Sequence, residues 1–190
     1  NMKEGVAACS ARSERQLSSF KGIIGGVNRF RPKFVVVCGN FTARPHPATD
    51  DAVSNSGSVG MHAVQTELFR RHVSRFSDSI SLLFVPGPHE MGMESRRGAN
   101  GNKWSGPSKA ALKDYRSRFG LDYYGFWYQG VRVLVVNSSL FFVDTARDSS
   151  KINDGDSLVA HALQHEQWLS EEIDQSKLCG VQIMLLSYHA

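Results

Sequence analysis

The chain has 190 residues, 41% of them hydrophobic and 21% charged, with a formal net charge of +4. That length suits one domain with a sizeable core, and that balance is ordinary for a globular chain. The positive charge is scattered and gives no clear nucleic-acid signal; Arg70, Arg71 and Arg75 share a predicted helix and read as a solvated face. No apolar run reaches the roughly 18 residues of a membrane span, so no membrane partner is expected. Cys9, Cys38 and Cys179 lack metal-knuckle spacing, and Cys38 falls in a presumed core strand. Cysteines so placed argue for a reducing intracellular compartment, the cytoplasm by expectation, and against a disulfide framework.

Residues 1–13 are small, polar and without pattern. From Glu14 to Arg29, Leu17, Phe20, Ile23, Ile24 and Val27 recur at helical spacing, and Pro32 closes the helix. Phe34-Val-Val-Val-Cys-Gly39 then reads as a buried strand that stops abruptly. A helix followed directly by such a strand is half of a βαβ unit, whose other strand is expected upstream. Residues 43–60 form a long polar loop by composition, of the length that in compact domains is functional or disordered. Ala63 to Phe76 is a predicted helix with Val64, Leu68, Val73 and Phe76 inward, followed by a strand from Leu82 to Val85.

Residues 91–107 read as a second polar, glycine-rich loop, and Lys109 to Phe119 as a short helix closed by Gly120. Tyr123 to Tyr128, Gln129-Gly130 and Val131 to Asn137 have the pattern of a hairpin with a tight turn. After a third polar loop, 144–157, comes a helix from Ala160 to Gln175 with Trp168 in its core face, then a strand from Val181 to Tyr188. The chain reads as cut at both ends, because Ala190 directly follows a strand-end histidine.

Three apolar strands thus each deliver polar residues at one end, where open α/β sheets place their ligands. The residues delivered are Gly39-Asn40, Gly87-Pro88-His89-Glu90 and His189. His46, His62, His72, His161 and His165 have no supporting spacing and read as surface residues. On the residues alone, His89 fits a turn histidine or a catalytic one, Glu90 a side chain that orients it or faces solvent, His189 a core histidine or a ligand, and Asn40 a turn residue bonding local backbone.

The ordered set resembles the calcineurin-like metallophosphoesterases, whose strands end in Gly-Asp, in Gly-Asn-His-Asp or Gly-Asn-His-Glu, and later in His and Gly-x-His. Val133-Leu-Val-Val-Asn-Ser138 and Gln167-Trp168-Leu169 extend the resemblance, most closely to the single-domain serine/threonine phosphatase branch. It covers residues 14–190 and implies an α/β fold, a metallophosphoesterase-type α/β/β/α sandwich with mixed sheets, incomplete at both ends.

In that family two metal ions clamp a phosphate and activate water. Two dications about 3.5 Å apart repel by roughly 19 kcal/mol at an effective dielectric of 20, and the Gly-Asp carboxylate bridges them. The resemblance places Asn40 and His189 at metal-ligand positions and His89 and Glu90 at catalytic positions, His89 protonating the leaving group and Glu90 orienting it. Asn40 replaces the bridging aspartate, and Pro88 replaces the amide ligand with a residue that has no side-chain donor. The expectation is a degenerate phosphoesterase that binds no metal cofactor and serves as a binding or structural subunit with protein partners or a phosphorylated ligand. The alternative is an active, metal-dependent phosphoesterase with an altered centre, using divalent Mn, Fe, Zn or Mg.

Overall fold

The computed structural model describes residues 19–43, 46, 56–93, 95–98, 101–104, 106–143 and 157–188. In chain order the elements are α1 (19–30), β1 (Phe34–Cys38), α2 (Ser56–Val73), β2 (Ser81–Val85), β3 (Ser95–Gly98), β4 (Gly101–Trp104), α3 (Lys109–Phe119), β5 (Tyr124–Tyr128), β6 (Val131–Val135), a 3₁₀ turn (Ser138–Phe142), α4 (Leu158–Leu178) and β7 (Ile183–Leu186). The fold is mixed α/β. β1 pairs with β2, β3 with β4, and β5, β6 and β7 form a third sheet in that order. In the third sheet β5 runs antiparallel to β6 and β7 runs parallel to it.

The chain divides into two compact units, one of Asn1–Val35 with Glu67–Leu83 and the other of Val36–Thr66 with Phe84–Ala190. In the first unit Ile24, Val73, Phe76 and Ile80 are buried. Phe20 on α1 meets the His72 ring edge-on at 5.8 Å. Asn28 fixes the chain that leaves α2, because its amide donates to the Arg75 carbonyl at 2.9 Å and its carbonyl accepts from the Ser77 N–H at 2.8 Å.

The second unit is built on Met91, Met93, Leu112 and Tyr115, with Phe41, Phe84, Phe119 and Leu158 packed against them. Phe119 is the hub of the rings, 5.1 Å from Phe41, 5.2 Å from Phe84 and 5.3 Å from Tyr115. Offset and edge-on ring pairs at such distances add to the area they bury. Helix α3 starts where Ser108 accepts a hydrogen bond from the Ala111 N–H and stops at Gly120, whose φ of 91° a side chain would oppose. The two-residue turn between β5 and β6 has φ of 49° at Gln129 and 82° at Gly130, the pair of positive angles that matches strand twist in a hairpin. Arg132 on β6 donates to both carboxylate oxygens of Glu172 on α4, at 2.8 and 2.5 Å, and lies over the Trp127 ring. That forked pairing ties the sheet to the helix.

One buried carboxylate organises the region around α3 and α4. Asp122 is fully buried and accepts from Arg116 Nε at 2.7 Å, Asn137 Nδ2 at 3.0 Å and His161 Nε2 at 3.1 Å. Burial alone would raise its pKa, but the hydrogen bonds from His161 and Asn137 and the Arg116 charge outweigh it and hold the group at about 2.

Several sequence expectations are corrected here. The stretch 91–107 contains the β3–β4 hairpin rather than loop alone. The second helix begins at Ser56, inside the expected 43–60 loop, and Val64 and Leu68 on it are exposed. Cys38 at the end of β1 is exposed rather than part of the core. His62, His161 and His165 are buried rather than at the surface, because partners distant in sequence cover them. The third loop lies outside the described residues except for Ser157, which caps α4 through the Ala160 N–H.

His165 supplies a pH test. It is fully buried, neither ring nitrogen has a hydrogen-bond partner among the described residues, and burial lowers its pKa from 6.5 to about 4. Between those values the unfolded chain takes up a proton that the folded chain refuses, so stability falls as pH drops from about 6.5 to about 4. His165→Leu removes both the proton linkage and the unpaired nitrogens. In urea titrations at pH 7 and pH 4.5 the variant is expected to lose less stability on acidification than the parent, by about 1–3 kcal/mol. Equal losses would show that His165 does not titrate as described.

Candidate functional site

The polar strand ends after β1 and β2 meet in the second unit. Their approach is set by two glycines: a Cβ on Gly39 would lie 2.3 Å from the Gly87 nitrogen, and one on Gly87 would lie 2.7 Å from the Asn40 nitrogen. No side chain fits at either position without moving backbone. Directly after Gly39 the chain adopts a left-handed conformation at Asn40, with φ of 60°, which asparagine tolerates better than most residues.

Glu90 fills the space between the two ends. Its carboxylate is buried and accepts from the backbone N–H groups of Asn40 at 2.8 Å, Phe41 at 2.6 Å and Gly87 at 3.1 Å. Burial pushes its pKa up, while these amide donors pull the other way. Asn40 reciprocates, its Oδ1 accepting from the His89 N–H at 3.2 Å. The turn is closed further by the N–H groups of Met91, Gly92 and Met93, which donate to the carbonyls of Gly87, His89 and Pro88. Of the four sequence-predicted site residues the structure therefore brings Asn40, His89 and Glu90 together, and His189 lies outside the described residues.

His89 Nδ1 lies 2.8 Å from the Thr42 carbonyl oxygen. A carbonyl only accepts, so Nδ1 carries the proton and Nε2 is the nitrogen left to exchange one. Glu90 makes its bonds to backbone N–H groups, and the group that orients the His89 ring is the Thr42 carbonyl. Two further histidines stand nearby. His46 donates its backbone N–H to the His89 carbonyl at 2.8 Å, and its ring lies 5.0 Å from that of His62 and 3.7 Å from the Asp114 carboxylate. His62 is buried, and burial, then the His46 charge, lowers its pKa to about 4. Neither His46 nor His62 ends a strand, so no local pattern marks either of them. A small cavity lies among Phe41, Thr42, His62, Thr66, Glu90, Asp114, Tyr115 and Phe119.

These groups do not make a metal site. No three or more His, Cys, Asp or Glu side chains among the described residues are arranged to hold an ion. The Glu90 oxygens face backbone N–H groups and Asn40 Oδ1 faces the His89 N–H. Among the described residues the donor set therefore does not fit the two-metal centre implied by the sequence resemblance, and His189, the other expected ligand position, lies outside them. What the set does chemically is hold a tight double turn with one imidazole edge presented beside it.

No family model matches the sequence, and no solved structure does. Among curated proteins it is similar to serine/threonine-protein phosphatase CPPED1 of Bos taurus, at 24% identity over 162 residues covering 84% of this chain and 41% of the relative. The human protein of that name is 22% identical over 178 residues, 93% of this chain and 46% of the relative, and the Mus musculus protein 27% identical over 117 residues, 62% and 30%. The chain spans less than half the length of these relatives. The similarity is weak, supports a relationship to the calcineurin-like phosphoesterases, and agrees with the mixed α/β architecture.

Glu90→Ala leaves three backbone donors without their acceptor, so it is expected to cost about 3 kcal/mol or more. Glu90→Gln, which keeps an acceptor but turns NH₂ hydrogens toward N–H groups, should cost less. Denaturant midpoints for the two variants check this; an Ala variant within a few tenths of the parent would show that the carboxylate does not hold the turn.

Proposed function

We propose that the protein is a degenerate calcineurin-like phosphoesterase, a pseudophosphatase whose strand-end turn serves binding or structure within a larger assembly rather than two-metal hydrolysis. One observation carries this reading: the side-chain oxygens of Asn40, at an expected metal-ligand position, and of Glu90, at an expected catalytic one, are turned inward. Asn40 Oδ1 accepts from the His89 N–H, the Glu90 carboxylate from three backbone amides, and Pro88 has no donor atom to offer. A neutral amide cannot offset the repulsion of two close dications as a bridging carboxylate does. The distant likeness to proteins named as serine/threonine phosphatases supplies the family side of the argument.

A second reading, an active phosphoesterase with an altered centre, is favoured by the His89 ring alone. With Nδ1 bonded to the Thr42 carbonyl, Nε2 of a protonated ring is placed to donate to a leaving group.

Elemental analysis of the purified full-length protein separates the two. The degenerate reading expects little Mn, Fe, Zn or Mg in the natural protein and more metal in an Asn40→Asp, Pro88→Asn double variant. Stoichiometric binding of two metals with turnover of a phosphomonoester would overturn it. Turnover abolished in His89→Ala would establish the second reading, and turnover unchanged in that variant would remove His89 from it.

A further inference from the structure

We propose a second site, distinct from the strand-end turn: an open cavity between α3 and the first turns of α4 that binds a small organic phosphate. The cavity has a volume of about 510 Å³ and is lined by Lys109, Lys113, Arg116, Tyr123, His161 and Gln164, with Leu112 and Leu158 among its apolar walls. A volume of that size holds a small organic molecule rather than a lone ion.

The charge of the wall comes from helical spacing. Lys109, Lys113 and Arg116 stand at i, i+4 and i+7 along α3, which places them on one face. Lys109 has a partner of its own, so the argument rests on the others. Lys113 forms no ion pair among the described residues. Arg116 spends Nε on Asp122 and lays Nη2 against the His161 ring, at 2.9 and 3.2 Å from its two nitrogens. Its Nη1 makes no hydrogen bond among the described residues, and the side chain is 41% exposed.

Among the described residues the lining contains no carboxylate. Asp122, the carboxylate bonded to Arg116, is sealed beneath it and already accepts three hydrogen bonds. Lys113 and Arg116 over this buried carboxylate leave the described part of the wall positive. Asp122 also locks the Arg116 guanidinium in place, so a bound phosphate would not have to order that side chain. Gln164 adds an amide donor, and the partly buried Tyr123 ring with Leu112 and Leu158 offers an apolar surface for the rest of the ligand. A phosphate joined to an aromatic or otherwise flat group uses both halves of the wall; a free phosphate uses one.

The test is calorimetric titration of the full-length protein with AMP and with O-phosphotyrosine, alongside inorganic phosphate and adenosine as the separated halves. At least one organic phosphate is expected to bind, more tightly than either half and more weakly as salt is raised. Lys113→Glu should weaken it about tenfold or more, and Gln164→Glu should weaken it as well. Lys177→Glu, remote on an exposed stretch of α4, should leave binding unchanged, and so should His89→Ala, which removes the strand-end imidazole. The proposal is overturned if neither organic phosphate binds saturably or if both cavity variants bind like the parent. Binding lost in His89→Ala but kept in Lys113→Glu would assign the phosphate to the strand-end turn instead.

Discussion

Two strand ends cannot approach within contact distance unless something satisfies the backbone donors they turn toward one another. Here the Glu90 carboxylate does so, accepting from Asn40, Phe41 and Gly87 at once. The geometry requires glycine at 39 and 87, because a Cβ at either would meet backbone. It also requires a residue at 40 that accepts a left-handed conformation. The carboxylate, the two glycines and the asparagine form one interlocking set, and His89 inherits its position from it through the bond to Asn40 Oδ1. Each polar group in such a set is costly to bury unpaired and inexpensive once paired. The turn is therefore rigid for the same reason that its atoms are occupied.

That occupation bears directly on the reading proposed above. A metal centre needs acceptor atoms aimed at a common point and kept from other partners. At this turn the Glu90 acceptors converge on backbone donors, and His46, beside His62 and Asp114, joins no cluster among the described residues that could hold an ion. Substituting aspartate at 40 would restore a negative charge but would also set a second carboxylate close to Glu90. Metal gain in the double variant would thus measure more than ligand identity, since the ion would have to stabilise both charges together.

Much of the fold was legible in the sequence because local signals agreed with tertiary ones. Helix α3 matched its expected bounds, since Ser108 and Gly120 both mark its ends chemically and Leu112, Tyr115 and Phe119 share one face. The β5–β6 hairpin was legible from Gln129-Gly130 between two runs rich in aromatic and β-branched residues. The β3–β4 hairpin was not, because Ser-Arg-Arg-Gly and Gly-Asn-Lys-Trp carry no alternation of apolar and polar residues to read. The buried histidines were missed for a different reason. His161 is held by Asp122, 39 residues away, and His62 stands in a pocket with Thr42 and Glu90. Neither relation leaves a mark in local spacing. At the site the motif order located Asn40, His89 and Glu90, but the direction of the Glu90 carboxylate depends on backbone amides that no motif specifies.

Helix α3 links these observations, since its faces do different work. Leu112 and Tyr115 enter the core, where burial pushes the Tyr115 phenol well above its ordinary pKa. Asp114 points toward His46 and is held by Arg118 at 2.7 Å. Lys113 and Arg116 face the cavity beside α4. Adjacent residues in a helix project about 100° apart, so Asp114 and Lys113 serve different pockets although they are neighbours in sequence. The two pockets share a rigid element without sharing a side chain. Tyr115 and the Phe119 ring cluster fix α3 against the Met91 and Met93 layer. A ligand on the Lys113 face would then change the strand-end turn only by moving α3 as a whole against this core. Close-packed interiors oppose such a movement, so occupancy of one pocket should leave the other's geometry as it is.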